Sequence, residues 1–231
     1  MTLTPTVSPL RPQTNACRSA RTLNGVWELA REREGLDYRS GFTPEKRAAV
    51  PASLNDLFVD PGFRDHFGGV WLQRRFYAES ATDRRWALHF GSAAYRAEVF
   101  VNGTGIGTHE GWATPFAFDI SAALRFGEEN LLCVRLDGTL SADTLPQGNL
   151  SMLAGGPGQF AGQFPDAGFD FYPYVGLHRS VTLYSTGIRA WFDQIALDPR
   201  GDLVTGEATL HVRMDVAGRA SDDDLVVFKS N

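Results

Sequence analysis

Phe169-Asp170-Phe171-Tyr172-Pro173-Tyr174-Val175-Gly176-Leu177-His178-Arg179-Ser180-Val181-Thr182-Leu183-Tyr184 falls into two halves of different chemistry. The first sets one carboxylate, Asp170, among aromatic rings and a proline, a costly setting for a charge that lacks hydrogen-bond partners. The second half alternates, with Val181 and Leu183 on one face and Thr182 and Tyr184 on the other, the period of a β-strand. The stretch therefore reads as an irregular aromatic loop delivered by a rigid strand, the common way a scaffold presents binding residues. Its surroundings repeat the strand pattern, and the chain as a whole reads as all-β.

Towards the N-terminus, Asn24-Gly25 is a turn pair, and the alternation from Val26 to Ala30 predicts a strand with Trp27 buried. Residues 31 to 49 are polar and mixed and yield no element. Val50 to Asp56 reads as a turn into an irregular segment, punctuated again at Pro61-Gly62. Val70 to Tyr77 alternates with aromatics on both faces, and Trp86–Phe90 and Tyr95–Val101 are further strands, the last ended by Asn102-Gly103. The run Asn102-Gly103-Thr104-Gly105-Ile106-Gly107 reads as a hairpin, since neither a helix pattern nor a basic residue follows to meet a phosphate. Asn102-Gly103-Thr104 also fits the glycosylation rule, which requires secretion. Asp119 or Ser121 is placed to cap one helical turn over Ala122-Ala123-Leu124. Leu131 to Leu136 predicts a buried strand. Asp137 to Gly168 is a long Gly-, Pro-, Ser- and Gln-rich loop of the functional or mobile kind, leading into Asp170. After Gly187, strands are expected within Ile188–Asp198, Glu207–Met214 and Leu225–Phe228.

The 231 residues suffice for one large β domain or one and a half ordinary ones. A net charge of −5 without any Lys/Arg-rich run sets nucleic acid aside. No stretch approaches 18 consecutive apolar residues, so no membrane span is expected. Met1 to Ala20 lacks the apolar core of a secretory signal, and Pro5, Pro9 and Pro12 make it an extended arm. Cys17 and Cys133 show no metal or CxxC spacing and read as free thiols, Cys133 as a small core residue. A reducing compartment fits, with the cytoplasm as the default. His66, His89, His109, His178 and His211 form no metal motif, so no metal and no cofactor are expected. No serine sits in a G-x-S-x-G elbow. His178 and Arg179 have two readings, catalytic or anion-binding on one hand and hydrogen-bonded structural on the other. A strand position beside Ser180 and Val181 favours the second.

The pattern Asp170-Phe171, Tyr174, Gly176-Leu177-His178-Arg179-Ser180-Val181 resembles the end of the N-terminal jelly-roll domain of family 2 glycoside hydrolases, those acting on β-glucuronides most closely. Leu23–Trp27, Val50–Asp56, Gly69–Arg74, Val99–Gly103, His109-Glu110-Gly111, Pro115-Phe116 and Asp119-Ile120 follow in the family's order, so the resemblance covers roughly residues 20 to 200. It implies a jelly-roll β-sandwich over 21–186 after an arm at 1–20, then an incomplete immunoglobulin-like β-sandwich over 187–231, a truncated copy. It also implies that Asp170 projects towards the active site and accepts hydrogen bonds from sugar hydroxyls, a task that suits a carboxylate. Read from the residues alone, Asp170 serves equally well to satisfy backbone N–H groups of its own loop. The family's retaining mechanism uses two glutamates on a barrel that this chain lacks, so the chain is expected to be inactive alone. Pro173 stands where asparagine is common in those enzymes, and Trp112-Ala113 where Gly-Tyr is usual. The leading expectation is thus a non-catalytic portion of a glycosidase with a carbohydrate, a β-glucuronide or related glycoside, as partner. Two others stand beside it: a free-standing carbohydrate-binding module, and an interaction protein whose open sheet edge pairs with a partner or a second copy as a homo-oligomer.

Overall fold

The computed structural model describes residues 11–79, 83–141, 143–145, 174–188, 190–202 and 204–218. In chain order the elements are β1 (Ser19–Thr22), β2 (Gly25–Arg31), β3 (Lys46–Val50), α1 (Leu54–Leu57), α2 (Pro61–Arg64), β4 (Gly69–Tyr77), β5 (Arg84–Phe90) and β6 (Arg96–Val101). There follow β7 (Thr104–Glu110), β8 (Phe116–Asp119), a 3-10 turn (Ser121–Ala123), β9 (Glu129–Asp137), β10 (Val181–Gly187), β11 (Ala190–Gly201) and β12 (Ala208–Gly218). The chain is all-β, as expected. A four-stranded sheet ordered β1-β10-β5-β8 and a six-stranded sheet ordered β3-β2-β4-β9-β6-β7 are antiparallel at every pairing.

One core joins the inner faces of the two sheets. Leu88, Phe90, Phe116, Phe118, Val181 and Leu183 come from the smaller sheet, and Trp27, Leu29, Leu72, Val99, Leu132 and Val134 from the larger. The alternation seen in sequence explains this directly: Trp27 is 1% exposed while its strand neighbour Val26 is 65% exposed. Phe90 and Phe116 stack at 4.8 Å between centroids, and each such ring contributes about 1.5–3 kcal/mol by burial. Val181 and Leu183 face this core as predicted. The Asn102-Gly103 turn closes the β6–β7 hairpin, with Val101 opposite Thr104 and positive φ at both turn residues, the conformation that a tight hairpin favours. The 3-10 turn lies where a helical turn was expected, and Asp119 Oδ1 accepts from the Ser121 N–H at 2.8 Å.

Residues 31–49, which gave no element in sequence, fold over the outer face of the six-stranded sheet and add its edge strand β3. Tyr38 stacks on Trp71 at 5.4 Å, its hydroxyl donating to the Arg31 carbonyl and accepting from the Arg33 N–H. Gln73 grips both backbone groups of Phe42, at 3.0 Å each. This second cluster buries Cys133, and burial pushes its thiol up to about 11. Cys17 is exposed, and both thiols are free. A thiol reagent at pH 8 is therefore expected to label one cysteine per native chain and two after denaturation; rapid labelling of both in the native state contradicts this packing.

The Val50–Asp56 and Pro61-Gly62 region, expected to be irregular, instead forms two single-turn helices. The cause of the second is local: Pro61 occupies the first helical position and the Asp60 carboxylate accepts from the Gly62 N–H at 3.0 Å. Beyond the sandwich, β11 and β12 pair into a two-stranded ribbon. Its register places Phe192, Ile195, Leu197, Leu210, Val212 and Val216 on one face and Asp198, Arg200, His211 and Arg213 on the other. All six apolar residues remain substantially exposed. The expected strand at Leu225–Phe228 lies outside the described residues. Among the described residues no helix is long and apolar enough to cross a membrane.

Candidate functional site

Asp170 and Pro173 lie outside the described residues, and the site is built from the segment that follows them. Tyr174 sets its ring edge-on to Trp112 at 5.1 Å and to His178 at 4.8 Å. With Ala94, Tyr95 and Leu140 these rings form a small apolar cluster apart from the main core. Here Trp112 is buried, while Ala113 is exposed and turns its carbonyl to the Arg179 guanidinium at 3.0 Å.

Residues 175–177 are held from both sides. The Ala52 and Leu54 N–H groups donate to the Leu177 and Val175 carbonyls at 2.9 and 2.8 Å, and the Ala94 N–H donates to the Gly176 carbonyl at 3.0 Å. Gly176, at φ +150°, lies so close to the neighbouring backbone that a β-carbon would meet the Ala52 carbonyl oxygen at 2.4 Å. Asn55 completes the clamp: its Oδ1 accepts from the Val175 N–H at 2.8 Å while its Nδ2 donates to the Arg64 carbonyl. A buried asparagine thus ties α1, α2 and the segment together. Sequence reading assigned Asn55 no role, because its two partners lie nine residues away and 120 residues away.

His178 and Arg179 precede β10 rather than lying within it, a correction to their expected strand position; the chain bends at Arg179, and β10 begins at Val181. His178 Nε2 is 2.8 Å from the Ser92 hydroxyl and Nδ1 is 3.4 Å from the Gly176 carbonyl. A proton on Nδ1 with Nε2 accepting from Ser92 satisfies both contacts. Burial lowers the pKa of His178 and Arg179 adds to the effect, against the pull of the Gly176 carbonyl. Burial likewise lowers the pKa of His109, which stacks on Phe116 at 4.1 Å. Among the described residues no group of three His, Cys, Asp or Glu is placed to hold a metal ion.

Residues 175–177 are thus held against Ala52–Asn55 and Ala94 by backbone and side-chain hydrogen bonds. Residues 20–187 match the family described as "Glycosyl hydrolases family 2, sugar binding domain". The chain belongs to glycoside hydrolase family 2. It is similar to the β-glucuronidases of Paenibacillus borealis (32% identical over 183 residues, 77% of this chain and 31% of that protein) and Sus scrofa (33% over 219 residues, 85% and 33%). Among solved structures it is similar to the β-glucuronidase of Lactobacillus rhamnosus, with a TM-score of 0.79 and 33% identity over 91% of this chain and 35% of that one. The β-glucuronidase of Ruminococcus gnavus superimposes with a TM-score of 0.80 at 26% identity over 92% and 35%. The chain spans about a third of the length of these family 2 relatives. What it shares with them is the sugar-binding portion.

Proposed function

We propose that this chain acts as the non-catalytic, sugar-binding portion of a β-glucuronidase-like retaining glycoside hydrolase, with Asp170 accepting hydrogen bonds from substrate hydroxyls. The observation that carries the reading is the clamp on residues 174–177. It fixes the strand-proximal end of the segment in which Asp170 stands four residues earlier, and a sugar-contacting carboxylate is useful only when its base is held. The acid and nucleophile carboxylates of a retaining mechanism would come from a barrel, and the substrate would be a β-glucuronide or related glycoside. The domain division that accompanies this reading is an arm at 1–20, a jelly roll at 21–186 and the start of an immunoglobulin-like sandwich at 187–231. Two free thiols accord with a reducing cytoplasm.

Titration with neutral methyl β-D-glucoside and methyl β-D-galactoside, followed by NMR, tests the role of Asp170. Saturable binding is expected to weaken about 10- to 100-fold in Asp170→Ala, the loss that follows from removing a charged hydrogen-bond acceptor worth about 1.5–3 kcal/mol. Binding of equal strength in a folded Asp170→Ala variant overturns the assignment.

A further inference from the structure

On the outer side of the four-stranded sheet, beside the 174–180 segment, lies a cavity of about 490 Å³. The described residues lining it include Arg11, His89, His178, Arg179, Ser180 and Thr182, and none of the described lining residues is an aspartate or glutamate. In a chain with 27 acidic and 22 basic residues, a cavity whose described lining holds two arginines and no carboxylate is a local reversal of charge. Elsewhere Arg31, Arg85, Arg96 and Arg135 each hold a carboxylate. Arg11 and Arg179 form no ion pair with any described residue.

The cavity also has the donors an anion needs. Arg179 spends one N–H on the Ala113 carbonyl at 3.0 Å, which fixes the guanidinium and leaves four of its five donors. Gly91 lets its stem lie flat, for a β-carbon there would sit 2.7 Å from Arg179 Cβ. Ser180 Oγ accepts from Asn24 Nδ2 at 3.1 Å, so its own proton remains to be donated into the cavity. Thr182 adds a hydroxyl from β10. We propose that this cavity is a binding site for a small organic anion, one bearing a carboxylate or a phosphate group, with Arg179 and Arg11 as its charged donors. A guanidinium meets both groups in a bidentate fork, and Arg11 and Arg179 are both exposed to an incoming anion. The inference is independent of the role of Asp170.

The test is an NMR titration of the whole chain with inorganic phosphate, glucuronate and neutral methyl β-D-glucoside, monitored at the amides of Ser180 and Thr182. Saturable shifts are expected with at least one anion, weakened at least 10-fold in Arg179→Gln and in Arg11→Gln and reduced by added salt. Preference between phosphate and glucuronate identifies which of the two groups the site takes. Arg11→Gln alters an exposed residue and keeps the test valid should loss of the Ala113 contact unfold Arg179→Gln. Asp170→Ala is expected to leave anion binding intact, which separates this site from the neutral-sugar reading. Absence of saturable binding up to tens of millimolar anion overturns the proposal. So does neutral glycoside producing the same shifts, or undiminished binding in Arg11→Gln.

Discussion

Gly176→Ala is expected to destabilise the sandwich by roughly 3 kcal/mol, combining strained backbone of about 1–3 kcal/mol with overpacking of similar size. The new methyl group would have to occupy space 2.4 Å from the Ala52 carbonyl oxygen and 3.2 Å from Ser53 Cα. Both obstacles are backbone, so neither can swing aside as a side chain would. Relief requires the 175–177 segment to withdraw from Ala52–Leu54, which breaks the contacts that hold it there. Urea denaturation of wild type and variant measures the loss. A change below about 1 kcal/mol, with unaltered amide shifts at Val175 and Leu177, would show that the segment is more yielding than its close approach implies.

Asn55→Ala is expected to cost about 1–3 kcal/mol. The substitution removes the acceptor of the buried Val175 N–H, and a buried polar group left unsatisfied costs about that much. Asn55→Asp keeps the acceptor for Val175 but buries a carboxylate that faces the Arg64 carbonyl, and is expected to lose at least as much. A loss under about 0.5 kcal/mol in Asn55→Ala would mean that solvent reaches the Val175 N–H. Combined with Gly176→Ala, the losses should fall short of their sum, since both variants release the same segment.

Much of the sandwich was legible because its strands are amphipathic in a simple way. Trp27 and Leu29 against Val26, Val181 and Leu183 against Thr182, and the Asn102-Gly103 turn each carry their structure within a few residues. Lys46–Val50 was not legible, since a five-residue edge strand with two charges at its start has no periodicity to detect. Its assignment depends on pairing with β2, a partner that local pattern does not name. The outer-face packing of Tyr38 on Trp71 was hidden for the same reason. At the candidate site, Tyr174 to Val181 stood out as a unit, yet the residues that hold it, Asn55 and Ser92, came from far upstream and carried no signal of their own. His178 and Arg179 stand side by side in sequence and both border the same cavity, yet the His178 ring is held between Ser92 and Gly176 while Arg179 is exposed and held by the Ala113 carbonyl.

The order of the four-stranded sheet bears on how the chain is made. β10 lies between β1 and β5, and Ser19 pairs with Ser185, so the first strand synthesised waits for one made roughly 160 residues later. At about 5–20 residues per second on the ribosome, that interval is on the order of ten seconds. Until β10 emerges, β1 and the inner edge of β5 have no hydrogen-bonding partner in their sheet, and Leu88 and Phe90 lack the cover of Val181 and Leu183. Nascent chains of this protein therefore pass through a period in which half a sandwich is complete and the other half is a target for chaperones.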